Sequence, residues 1–212
     1  MTGATQAQPA AKISVPIIAK PTAARPAVQH NKEPKFLTWR EFQRRYLSRE
    51  DGFKYEWSNG KVEKTPYAMN VQQLYIWKNL NRHFQNLKHQ GSANGELTTE
   101  TDTFLTELLH RRPDLAYFTD EQIDAAAENP VQVPSFVIEV VSPSDNANKV
   151  NRKAQIYFNA GVRVVWNIFP ELQEVHVYEN ATRIHIARGE ALCSAEPVIP
   201  GFVLSADAIF AR

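Results

Sequence analysis

The stretch Phe136-Val137-Ile138-Glu139-Val140-Val141 restricts this chain more than any other, because a single carboxylate interrupts an otherwise unbroken apolar run. A strand with one wet face alternates polar and apolar residues. A run without that alternation belongs in a strand covered on both faces, as at the centre of an α/β sheet. An isolated carboxylate taken out of water there costs several kcal/mol or takes up a proton, so Glu139 needs a partner.

Two nearby segments offer one. Arg112-Pro113-Asp114 leads into Leu115-Ala116-Tyr117-Phe118, a second short apolar strand whose entry angle the proline fixes. Lys153 lies in Asn151-Arg152-Lys153-Ala154-Gln155-Ile156-Tyr157, on the helix expected after the Glu139 strand. Two acids near the ends of consecutive strands, with a lysine on the next helix, can hold a divalent cation beside a phosphodiester. Oxygen donors of this hardness match Mg2+ or Mn2+ rather than Zn2+. The ion would lower the pKa of a bound water and stabilise charge on the phosphate, with Lys153 adding a point charge. The same residues also form a salt-bridge cluster at a core edge if Glu139 simply pairs with Lys153 or Arg152, and spacing leaves both readings open.

Tyr55-Glu56-Trp57-Ser58-Asn59-Gly60, Arg112-Pro113-Asp114, Ile138-Glu139-Val140-Val141-Ser142-Pro143-Ser144 and the run from Lys153 through Tyr157 to Gly161-Val162 follow one another in this order. In that order the chain resembles the Uma-type family of endonucleases, a branch of the PD-(D/E)XK restriction-endonuclease-like superfamily, over about residues 36–210. The resemblance implies a restriction-endonuclease-like fold and metal-dependent hydrolysis of DNA. It implies that Asp114 and Glu139 bind the metal, that Lys153 is the catalytic lysine displaced onto the following helix, and that Glu56 is a further ligand or an orienting group. Lys149, one helical turn before Lys153, is the rival lysine. A homodimer is implied too, since cutting two strands with one site per chain is simplest with two-fold symmetry. The chain departs from the pattern at Val141, where the superfamily usually has its lysine. It departs again at Phe169-Pro170, where the family usually has Asp-Pro, and at Gln72 or Gln73, where many members have histidine. These changes keep alive a second class of function, a nucleic-acid-binding or structural homodimer that has lost catalysis.

A chain of 212 residues with 43% hydrophobic content can bury one sizeable core. Residues 1–35 are expected to stay outside it as a disordered arm: Pro9, Pro16, Pro21, Pro26 and Pro34 recur between small residues without helical or strand periodicity. Residues 36–212 are expected to form the nuclease domain. A net charge of +1 says little for nucleic acid. No apolar stretch is long enough to cross a membrane and no secretory-signal pattern opens the sequence, so the expected location is cytoplasmic. The single cysteine, Cys193, excludes an intramolecular disulfide and a cysteine metal cluster, and is expected to be an apolar filler.

The scaffold expected around these residues is a central mixed sheet, antiparallel at one side, with helices on both faces and a small β-hairpin layer toward the C-terminus. Thr38 and Glu41 form a capping box for a helix that exposes Arg40, Arg44 and Arg45. Asn59-Gly60 signals a hairpin with Glu56 on its first strand. Trp77, Leu80, Phe84 and Leu87 repeat at helical spacing and predict a core-facing stripe on a helix from about Met69 to His89. A strand is expected near Glu96 to Thr103, with Glu96 and Glu100 explained by alternation alone. Asp120, Glu121, Asp124 and Glu128 read as a short solvated helix. Gly161 ends the Lys153 helix before a strand from Val162 to Ile168. Finally, a two-residue turn near Asn180-Ala181 would set His176 opposite His185, a weak candidate for a transition-metal pair.

Overall fold

The computed structural model describes residues 36–66, 71–143 and 145–212. The expectations for the N-terminal arm, for Met69 and for Ser144 lie outside these residues. The β-branched and aromatic runs of the second half build the main sheet. Its strands run in the order Ile184–Ala187 (β10), Glu174–Tyr178 (β9), Val164–Phe169 (β8), Phe136–Val140 (β7), Leu115–Phe118 (β6) and Glu96–Thr99 (β3). Only β7 and β8 are parallel; their register sets Glu139 beside Asn167. Every other neighbour is antiparallel, so the sheet is antiparallel on both flanks of its parallel centre rather than on one.

The period of two along β7 divides its side chains between two cores. Phe136 and Ile138 enter a cluster with Leu80 and Phe84 of helix Val71–His89 (α2) and with Ile209 of helix Ala206–Phe210 (α5). Val137 enters a second cluster with Ala154 and Tyr157 of helix Ala147–Ala160 (α4). Each buried aromatic or branched side chain contributes roughly 2–3 kcal/mol by leaving water. Alternation then puts Glu139 on Val137's side, facing α4. Gly161 closes α4 in a left-handed conformation, φ 108°, as a C-cap glycine should. Cys193 is buried within the α2-side cluster, as a small apolar filler would be.

A second sheet, in the order Lys61–Pro66 (β2), Phe53–Ser58 (β1), Leu109–Arg111 (β5) and Thr103–Thr106 (β4), stands beside the first. Tyr55 and Trp57 of β1 pack on one face against Phe42, from the short helix Trp39–Phe42 (α1), whose Thr38–Glu41 capping box is formed. The opposite face of β1 carries Lys54 and Glu56. The chain crosses from this sheet to the main one through Arg112-Pro113-Asp114, which joins β5 to β6. A two-stranded sheet of Leu192–Ser194 (β11) and Val203–Ser205 (β12) supplies the extra layer near the C-terminus. The hairpin of β9 and β10 instead extends the main sheet. The acidic segment begins with the capped helix Asp120–Ala125 (α3), which buries none of its residues.

Three local expectations are corrected. The strand from Glu96 stops at Thr99, because Glu100 takes φ 49°, a left-handed conformation that no strand continues through. Trp77 is not core: Ile76 and Leu80 are buried while Trp77 is 39% exposed. Leu80, Phe84 and Leu87 are buried as expected, and the stripe continues through Ile76 in place of Trp77. His176 faces Ile186 and not His185, which pairs with Val177, because the turn runs from Glu179 to Arg183 and is longer than two residues. His176 instead contacts Glu174 at 3.2 Å, and the metal-pair candidate is dropped.

Candidate active site

The four residues singled out from the sequence come together where the two sheets meet. From β7, Glu139 places Oε2 2.9 Å from Lys153 Nζ and accepts a hydrogen bond on Oε1 from Tyr157 Oη at 2.5 Å. Lys153 and Tyr157 are one turn apart on α4, so a single helical face holds both carboxylate oxygens. Lys153 Nζ also lies 3.2 Å from Glu56 Oε1, which bridges the main sheet to β1 of the second. Glu56 is fixed further by the backbone N–H of Arg112, which donates to Oε1 at 3.0 Å, and by Arg111 at 3.7 Å. Asp114, at the crossing between sheets, accepts the Val140 N–H at 2.6 Å on Oδ2. Rival Lys149 stands a turn away, with its amine 3.3 Å from Thr65 Oγ1.

The structure adds a second lysine bridge. Lys54 Nζ lies 2.7 Å from Asp114 Oδ1 and 3.2 Å from Glu100 Oε1. Lys54 was legible in principle: it sits two residues before Glu56, and on a strand that spacing shares one face. Glu100 carried no such signal, since only its left-handed backbone turns it toward Lys54. Two lysines thus interleave with four carboxylates, all drawn from different strands or their ends.

Electrostatics follow from burial and these neighbours. Burial alone would depress Lys54, but Asp114, Glu139, Glu100 and Glu56 together hold it well above the usual lysine range. Lys153 is raised in the same way, burial being outweighed chiefly by Glu139 and Glu56. Burial opposes ionisation of Glu56, yet Lys153, Arg111 and Lys54 bring it down to about 2. Asp114 is likewise lowered against burial, by Lys54 and Lys153. Glu139 goes the other way, pushed up by burial and by Asp114 against the pull of Lys153. Glu100 is pushed up to about 7 by burial and by Asp114, only partly offset by Lys54. Its Oε2 is buried and accepts no hydrogen bond among the described residues.

These groups open into a cleft of about 410 Å3. Lys54, Glu100, Asp114, Glu139 and Lys153 form its inner end; Lys64, Trp77 and Lys149 line it farther out. Among the described residues, no three or more His, Cys, Asp or Glu side chains are grouped as a ready-made metal cage. The donor set nevertheless fits Mg2+, which keeps most of its waters and takes one or two carboxylates plus substrate phosphate. Every candidate ligand is an oxygen, and Glu100 Oε2, buried near Asp114, keeps lone pairs that no donor among the described residues satisfies.

A mixed α/β sheet with acids at the ends of adjacent strands is the arrangement of the restriction-endonuclease-like class, here with the lysine on the helix that follows. The comparisons agree. The model of the Uma2 family, described as "Putative restriction endonuclease", matches residues 39–207, and the chain belongs to this family. A crystal structure of "a putative nuclease belonging to DUF820" from Anabaena variabilis shares the fold, with a TM-score of 0.66 at 21% identity, covering 82% of this chain and 97% of that one. No curated protein matches the sequence. Among the described residues, no helix is long and apolar enough to cross a membrane.

Proposed function

We propose that this protein is a metal-dependent endonuclease that hydrolyses phosphodiester bonds of DNA, working in the cytoplasm as a homodimer. The observation that carries the reading is the convergence of Asp114 and Glu139, from adjacent strands, with Lys153 between Glu139 and Glu56 at the inner end of an open cleft. A structural ion-pair cluster has no need of a cleft; a hydrolytic site does.

Asp114 and Glu139 would hold Mg2+ or Mn2+, which supplies Lewis acidity toward a phosphate oxygen and a water of lowered pKa. The protein's own groups do the rest. Tyr157 and Lys153 fix the two oxygens of Glu139, and the Val140 N–H and Lys54 fix those of Asp114, so neither carboxylate must reorganise when substrate arrives. Glu56 anchors Lys153 from the second sheet and leaves the ammonium turned toward the cleft as a positive charge for the phosphate or the attacking water.

Nicking of supercoiled plasmid by the purified protein, with Mg2+, Mn2+ or EDTA, tests the reading directly. Metal-dependent nicking that disappears in Asp114→Asn and in Glu139→Gln is expected. Absence of nicking under every metal, or equal nicking by the double variant, overturns it.

A further inference from the structure

Trp77 is the feature that the site described so far leaves unused. Its neighbours Ile76 and Leu80 are buried, but the indole is 39% exposed and lines the cleft. Among the described residues no ring packs on it and nothing bonds its Nε1–H, in contrast to Trp39, Trp57 and Trp166, each of which is stacked or hydrogen-bonded. An exposed indole lining a phosphate-handling cleft presents a bare ring face on which a base can stack. Asn167 adds a second, independent mark of a ligand. It is 1% exposed, lies in register with Glu139, lines the same cleft, and its Nδ2 has no acceptor among the described residues. A buried donor left without an acceptor is penalised, and a bound polar group can relieve that penalty. Lys149 of α4 lines the same cleft, with its amine 3.3 Å from Thr65 Oγ1.

We infer that this cleft receives one unpaired nucleotide of a DNA strand: its base stacks on Trp77, its polar edge or sugar meets Asn167, and a flanking phosphate lies toward Lys149. A base inside a duplex has both faces against its neighbours and offers none to an indole; only an unpaired or extruded base does. The volume, about 410 Å3, lies in the range of single small-ligand pockets. Sequence-tolerant stacking, rather than reading of base edges in a groove, follows from this geometry. The inference rests on the nuclease reading of the same cleft and narrows its substrate to single-stranded, frayed or distorted DNA.

The test is a fluorescence titration of the full chain with oligothymidylate and with the corresponding dA·dT duplex, in Ca2+ so that binding is observed in the absence of Mg2+. The plasmid assay is run beside it. Stacking on Trp77 quenches its emission, and the other tryptophans are packed into the protein. The expected result is a quench by the single strand that Trp77→Ala abolishes, with affinity falling roughly tenfold to a hundredfold, the size of one lost base stack. Trp77→Tyr keeps a ring face and should retain most of the affinity. Equal binding of duplex and single strand by wild type and Trp77→Ala, with metal-dependent nicking intact, overturns the stacking site and leaves the nuclease standing. A change of oligomeric state in Trp77→Ala without loss of single-strand affinity also overturns it, assigning the indole to a second copy. Tight single-strand binding with the Trp77 quench, but neither plasmid nicking nor cleavage of the oligonucleotide in Mg2+ or Mn2+, upholds the site and removes the nuclease reading.

Discussion

Glu56 and Glu63 stand directly opposite each other across β1 and β2, a like-charge pair that a sheet does not tolerate unaided. Arg111 reaches both, at 3.7 Å and 3.2 Å, and is itself 1% exposed. The guanidinium thereby secures Glu56, which in turn holds Lys153.

Removing Arg111 should therefore be among the most damaging single changes in the protein. Arg111→Met leaves Glu56 buried with one cation fewer, and the expected loss is about 3–5 kcal/mol, read from the urea midpoint at pH 7. Arg111→Met combined with Glu56→Gln should recover part of it. An uncoupled, additive double mutant would show that Arg111 acts through packing alone.

Neutralising a metal-site acid should separate activity from stability. Asp114→Asn and Glu139→Gln are each expected to abolish nicking. In EDTA, Glu139→Gln should melt at or above the wild-type temperature, because burial and Asp114 already oppose its charge. Thermal melts with and without EDTA check this.

The two α4 lysines should differ in kind. Lys153→Ala is expected to lower turnover by roughly a hundredfold, since a positive charge aimed at the phosphate acts chiefly in the transition state. Lys149→Ala should mainly raise KM and flatten its salt dependence, because its amine sits at the outer wall beside Thr65. The reverse pattern would exchange their roles.

Metal-free stability should peak on the acid side of neutrality. Glu100 goes from an ordinary 4.5 to about 7 on folding. The folded chain thus binds the extra proton, and stability falls as pH rises through that interval. Glu56 goes from 4.5 to about 2, so its contribution is present above 4.5 and is lost as pH falls toward 2. Melting temperatures in EDTA should be highest near pH 5, and Glu100→Gln should flatten the decline between pH 5 and 7. A wild-type optimum at pH 8 would contradict the assignment.

The centre of the main sheet, with Asp114 and Glu139, was legible because the unalternating apolar run around Glu139 and the proline before Asp114 are local signals. Glu56 and the choice of Lys153 as the catalytic lysine came instead from the family resemblance. The second sheet was only half legible. Its Asn59-Gly60 hairpin announces itself, whereas β4 and β5 are short and joined through a register shift between Phe104 and Thr106. Glu100 escaped because its place depends on one left-handed residue, and Trp77 because helical periodicity does not say which of two neighbouring faces a sheet will cover. Lys54 escaped although its spacing from Glu56 pointed to the shared face.

Because Lys54 and Glu56 come from one sheet and Asp114 and Glu139 from the other, the reacting centre straddles a mechanical seam. Both lysine bridges cross it, so a small slip of one layer over the other would part them together and silence the centre while every strand stayed folded. A wedge driven into that seam, from a distant face of the protein, would be an off switch that never touches the cleft.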